Sequence, residues 1–155
     1  MKKTTIAEKL EAYTVPIPET SCIVWIGSVT HQGYGSLREG KKMIKAHRAA
    51  YSLVKGPIPD GMVLDHICHV PGCVNPDHLR VCTPSDNARN RKLEKTNISG
   101  LKGVGWAKRH KRWRAQISVD GKNRHLGMYK TKEEAYAAYC DTAKALHGEF
   151  FNPGF

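Results

Sequence analysis

The run Val63-Leu64-Asp65-His66-Ile67-Cys68-His69-Val70-Pro71-Gly72-Cys73-Val74-Asn75-Pro76-Asp77-His78-Leu79-Arg80-Val81-Cys82-Thr83-Pro84-Ser85-Asp86-Asn87 interleaves two chemistries at fixed spacings. Cys68, Cys73 and His78, each separated from the next by four residues, are the ligand types that zinc gathers into a tetrahedron. A fourth ligand must come from elsewhere. Cys22, in Ser21-Cys22-Ile23-Val24-Trp25, is the best candidate because it would staple an N-terminal β segment to this loop. His69 and Cys82 compete for that position. His69 is disfavoured because neighbouring side chains in an extended loop diverge.

The second chemistry belongs to Asp65, His66 and Asn87. An imidazole titrates near neutral pH and can deprotonate a water, while a carboxylate and a carboxamide oxygen suit a hard divalent cation such as magnesium. Base and cation together are what phosphodiester hydrolysis requires. Locally, Met62-Val63-Leu64 is expected to form a strand delivering Asp65 and His66. Leu79–Cys82 is expected to form a second strand, and a helix runs from Thr83-Pro84 through Lys95, with Thr83 as N-cap and Pro84 at the first helical position. Asn75 is expected to shape the turn before Pro76.

Outward from this stretch, Thr4–Tyr13 is expected to be a short helix that Pro16 and Pro18 break. Two β-rich runs, Cys22–Ile26 and Met43–Ala46, flank the glycine-bearing GYGSLREGKK and predict a hairpin or meander. Ala46–Lys55 has helical spacing and stops at Gly56-Pro57. After a polar linker at 94–99, three strands are expected near Gly103–Ala107, Trp113–Val119 and Arg124–Tyr129, with a hairpin signal at Asp120-Gly121. Thr131 with Glu134 makes a capping box for a closing helix that ends near Gly148.

The chain of 155 residues carries a formal charge of +11 and a pI near 9.6, which points to a polyanionic partner. The segment Lys102–Arg124 holds eight basic residues and one acid, Asp120. No run of 18 apolar residues and no leader peptide is evident, so a cytoplasmic protein without a membrane partner is expected. Five cysteines, three of them near histidines, favour metal ligation over disulfides in a reducing compartment. Cys82 and Cys140 are expected to be small buried hydrophobes.

The spacing from His66 through Cys68, Cys73 and His78 to Asn87 resembles the HNH or His-Me finger nucleases, closest to the His-Cys box branch of homing endonucleases. The resemblance implies an α+β fold in which a zinc-stapled ββα-metal domain hydrolyses double-stranded DNA. Zinc would be structural, on Cys22, Cys68, Cys73 and His78; magnesium or another divalent cation would be catalytic, on Asp65 and Asn87. His66 would be the base, and Arg48 matches an arginine aimed at the scissile phosphate. A competing HNH pattern assigns His78 to orienting the base.

Residues 99–154 resemble an AP2 domain, a three-stranded antiparallel sheet plus helix. The match is carried by Lys102-Gly103-Val104, Trp113–Ile117, His125-Leu126-Gly127, Thr131–Ala135 and Phe151-Asn152. It implies DNA contacts from Arg112, Arg114, Gln116, Lys122 and Arg124, with Lys102 and Lys108 on phosphates. Trp106 would pack on a sugar or close the core.

The expected organisation is therefore a nuclease domain at 1–93 (core 21–93), a linker at 94–99 and a DNA-binding domain at 100–155. The resemblance implies a phage or mobile-element homing enzyme in the host cytoplasm, acting as a monomer or a homodimer. The rival reading is a non-catalytic, zinc-stabilised DNA-binding transcriptional regulator, which requires none of Asp65, His66 and Asn87.

Overall fold

A computed structural model describes residues 4–91, 93, 96–119 and 121–154. Asp120 of the hairpin signal, and Lys92, Glu94 and Lys95 around the expected linker, lie outside the described residues. The fold is mixed α/β with small antiparallel sheets, and its contacts gather into two compact units, Met1–Thr83 and Pro84–Phe155.

The first unit is three hairpins and two helices. Helix α1 (Ile6–Ala12) starts at a capping box between Thr5 and Glu8. Helix α1 stops before Pro16, as expected, and strand β1 (Thr14–Ile17) pairs with β2 (Cys22–Trp25), so Pro16 sits in a strand of a two-stranded sheet, where a missing N–H is tolerated. Strands β3 (Ser36–Glu39) and β4 (Lys42–Lys45) form the second hairpin and lead directly into α2 (Ala46–Lys55). Strand β5 (Val63–His66) pairs with β6 (Leu79–Cys82), with Asp65 opposite Arg80 and His66 opposite Leu79.

Trp25 centres the core, packed with Leu37, Ala46, Ala49, Ala50 and Val74, and covered by Ile6 and Leu10 of α1. This gives the N-terminal helix a packing role that its sequence did not disclose. Gly35 lets the core close: a Cβ there would stand 2.7 Å from Trp25 Cδ1 and 2.9 Å from the Ala46 Cβ. Burying a tryptophan of this kind contributes about 3–5 kcal/mol relative to alanine.

The second unit begins with α3 (Pro84–Arg89), which is shorter than the expected helix through Lys95. The carbonyls of Arg89 and Arg91 accept hydrogen bonds from Lys102 Nζ at 2.8 Å each, and buried Asn90 is held by Asn152, whose Nδ2 donates to its carbonyl at 2.9 Å. Carbonyls held from outside in this way take the chain out of the helical ladder. The same bonds tie the end of α3 into the second compact unit, Pro84–Phe155.

Strands β7 (Val104–Ala107), β8 (Arg112–Val119) and β9 (Lys122–Tyr129) make one antiparallel sheet. Helix α4 (Lys132–His147), capped by Thr131 and Glu134, covers one face through Ala135, Tyr139 and Ala143. Cys82 is buried, as expected, whereas Cys140 is only half-buried at the edge of this core. No helix among the described residues is long and apolar enough to cross a membrane.

Candidate functional site

Two sequence-distant segments meet at the metal-ligand loop. Strand β2 is tied to it by a Trp25 N–H bond to the Gly72 carbonyl (2.9 Å) and a Val74 N–H bond to the Ile23 carbonyl (2.7 Å). A 3-10 turn, Pro76–His78, then presents His78; it is capped by Asn75, whose Oδ1 accepts from the Asp77 N–H while Nδ2 donates to the Ser21 carbonyl. Both ends of the Asn75 carboxamide are thereby used.

These ties bring Cys22, Cys68, Cys73 and His78 together, with ligand atoms all within 4.8 Å of one another. His78 Nδ1 lies 3.5 Å from Cys22 Sγ and 3.6 Å from Cys73 Sγ. A tetrahedral zinc with its usual bond lengths separates a sulfur and a nitrogen ligand by about 3.6 Å, so the donor set and its spacing fit that ion. Burial, followed by the neighbouring thiols, pushes the Cys68 thiol up to about 12, and burial also raises that of Cys73. Gathered thiols of this kind shed their protons to a cation. His69 is not in the cluster; it occupies a left-handed turn (φ 54°) after His66.

His66, at the end of β5 and 8% exposed, sits against the same loop: its Nε2 is 3.0 Å from the Cys73 carbonyl oxygen. A carbonyl only accepts, so Nε2 carries the hydrogen and the lone pair of the neutral ring is on Nδ1. Burial lowers the imidazole pKa, opposed by the Cys73 carbonyl and by Asp65. A neutral imidazole with a fixed tautomer is the state a general base needs. Asp65, 4% exposed, is held by Arg80, with Oδ2 2.9 Å from Nε and 2.8 Å from a terminal nitrogen.

The HNH endonuclease family matches residues 45–89, which span α2, the metal-ligand loop and Asn87. Protein 3.8 of Escherichia phage T7 is 35% identical over 115 residues, covering 74% of this chain and 94% of that protein. Residues 45–89 of this chain are thus an HNH endonuclease-type segment, within a chain related to phage protein 3.8. An uncharacterized gene 5.3 protein of Enterobacteria phage T3 is 41% identical over 49% of this chain and 86% of its own length. An uncharacterized HNH endonuclease of Acanthamoeba polyphaga mimivirus is 31% identical over 71% of this chain and 57% of its own length. No solved structure matches the chain. The HNH endonuclease match over residues 45–89 implies a DNA-cleaving hydrolase.

Within the HNH-matched segment, the residue that meets His66 from α2 is His47, with ring centroids 4.9 Å apart. Arg48 is exposed and lines a groove with Ile6, Met43, Ile44 and Leu53. Asn87 is half-buried on α3, in the second unit.

On β8, Trp113, Ala115 and Ile117 face α4 while Arg112, Arg114, Gln116 and Ser118 alternate to the outer face, as the sequence indicates. The β9 pairing shifts register between Ala115 and Gln116, which changes which β9 residues share that face. Arg124 pairs with Ile117 and Lys122 with Val119, on the α4 side, whereas His125 pairs with Gln116 and Asn123 with Ser118. Lys122 and Arg124 therefore leave the outer-face set, and His125 and Asn123 join it. A bulge is invisible to simple alternation, though the glycine at 127 (φ 145°) is a signal that could have found it.

Lys102, expected on a phosphate, is instead consumed inside the unit: besides the Arg89 and Arg91 carbonyls, Nζ donates to the Asn152 carbonyl at 3.2 Å. Burial lowers its pKa accordingly. Trp106, half of whose surface is exposed, pairs with Trp113 at 5.1 Å between centroids.

Proposed function

We propose that this chain is a divalent-metal-dependent endonuclease of the phage homing type, hydrolysing phosphodiester bonds in double-stranded DNA in the host cytoplasm. The observation that carries the reading is the bond from His66 Nε2 to the Cys73 carbonyl, which leaves Nδ1 as the acceptor for a proton from water. Zinc on Cys22, Cys68, Cys73 and His78 would fix the loop that supplies this carbonyl. The alternative role of His78, orienting the base, is disfavoured because its Nδ1 faces two cysteine sulfurs and the orienting bond comes from Cys73.

In this reading His66 takes the proton of the attacking water, and Arg48 binds a phosphate oxygen. Asp65 and Asn87 would hold the catalytic cation, Asp65 sharing its carboxylate with Arg80. Magnesium, when bound there, supplies positive charge that stabilises the leaving 3′ oxygen.

The C-terminal sheet and helix act as an AP2-like anchor in this reading. Arg112, Arg114 and Gln116 contact base edges, with His125 and Asn123 beside them; exposed Lys108 contacts a phosphate. The HNH endonuclease match over residues 45–89 favours the nuclease over the DNA-binding regulator.

The test is cleavage of plasmid DNA with magnesium, with and without chelator. His66→Ala is expected to abolish cutting while retaining DNA affinity and metal content. Magnesium-dependent cleavage by that variant at the parental rate rules out the assignment.

A further inference from the structure

The hydrogen bond at Nε2 fixes one point of the His66 ring and leaves the ring able to tip about the line to the Cys73 oxygen. Two further rings close on it. His47, in the first turn of α2, meets it edge-on at 4.9 Å and 68°. Tyr34 approaches at 5.8 Å and 45°, and it also touches His47 at 5.4 Å. All three separations lie in the range where aromatic contacts are attractive, at about 0.5–1.5 kcal/mol each.

His47 is 7% exposed, and its Nδ1 is buried with no hydrogen-bond partner among the described residues. An orphaned ring nitrogen makes the residue a poor choice for stability alone, since the unmade bond costs about 1–3 kcal/mol. What the ring does supply is a flat edge against the face of its neighbour. Burial, then the proximity of His66, lowers the His47 pKa to about 3, so it stays neutral and does not repel a proton arriving on His66.

We infer that His47 is a positioning residue for the catalytic base: with Tyr34 it clamps the plane of His66 so that Nδ1 is held toward the attacking water. This rests on the reading of His66 as the base. It assigns a catalytic consequence to a residue whose sequence context, Ala46-His47-Arg48-Ala49-Ala50, indicates only the buried side of a helix.

The test compares full-length, metal-loaded His47→Ala, His47→Phe, His47→Leu and His66→Ala in magnesium-dependent plasmid cleavage, alongside DNA affinity, bound zinc and melting temperature. His47→Ala is expected to keep zinc and DNA affinity, with KM unchanged and kcat reduced by about 10²-fold, the scale of a small misplacement of a reacting group. His47→Phe, which restores the flat edge without the nitrogens, is expected to recover most of the rate. His47→Leu, which fills the space without a ring, is not; this pair decides the matter even if His47→Ala fails to fold.

Parental kcat in His47→Ala or His47→Leu overturns the inference. So does a folded His47→Phe that is as slow as His47→Leu, because the nitrogens rather than the ring would then be acting. Activity surviving in His66→Ala is a different failure: it removes the base itself, and the inference with it.

Discussion

His47 also couples stability to pH. Its pKa falls from an ordinary 6.5 to about 3 on folding, so between those values the unfolded chain binds the proton and the folded chain does not. Stability attached to this residue is therefore complete above about pH 6.5 and is lost as pH falls toward 3, by at most ~5 kcal/mol. Comparing melting temperatures of the parent and His47→Phe from pH 7 to pH 4 isolates this effect, because acid release of metal is common to both. The parent is expected to lose more stability than the variant, and parallel curves exclude the coupling.

The same residue shows where sequence reading ends. Cys68, Cys73 and His78 were legible because one loop carries them at ligand spacing, and Cys22 because a lone cysteine in a strand had an evident use. The partnership of His47 with His66 depends on how α2 packs against β5, which no local pattern encodes. Arg48 was singled out by resemblance, while it is the neighbouring side chain that meets His66.

At the scale of elements, most helices and strands followed from alternation, capping and glycine stops, as in the Thr131 to Glu134 box of α4. The misreadings arose where a distant partner overrode local preference. Lys102 and Asn152 hold the carbonyls at and just past the last turn of α3, which ends earlier than local pattern indicates.

Gly103 is a further case of tertiary demand. At φ 73°, an added Cβ would lie 2.1 Å from Tyr139 Cδ2, so Gly103→Ala must both strain the backbone and displace a core ring. The expected loss is about 3–4 kcal/mol in denaturant unfolding. A change below about 1 kcal/mol, within reach of surface substitutions, would show that the ring moves aside freely.

The metal-ligand loop makes the complementary prediction. It contains a single 3-10 turn of regular structure, so under the proposed zinc assignment the ion would cross-link a loop otherwise held by a few hydrogen bonds. Chelation is expected to release zinc and to lower the melting temperature by roughly 10 °C or more, given that such sites contribute much of the folding energy of small domains. Zinc-free protein with an unchanged melting temperature refutes that dependence.

For the whole molecule, the basic excess suits a polyanionic partner, and the outer face of β7–β9 is the proposed DNA surface. Replacing Arg112 and Arg114 together by alanine is expected to weaken DNA binding. Wherever either arginine neutralises a phosphate, its removal makes the dependence of log affinity on log salt shallower by about 0.9 per phosphate. Lys122 and Arg124, at α4-side register positions, serve as the control pair. An equal weakening from both pairs removes the sheet face from the assignment. Alternation already set the outer face of β8, whereas which β9 residues share it follows only from the register shift at 115/116.

The seven-residue step from His66 to Cys73 is constrained twice, because Cys73 contributes its sulfur to the ion cluster and its carbonyl oxygen to His66. Inserting or deleting one residue there would break both attachments in a single event. Length variation among descendants of this gene is thus pushed elsewhere, toward the exposed turns at 31–33 and 40–42, where the chain can grow without disturbing either attachment.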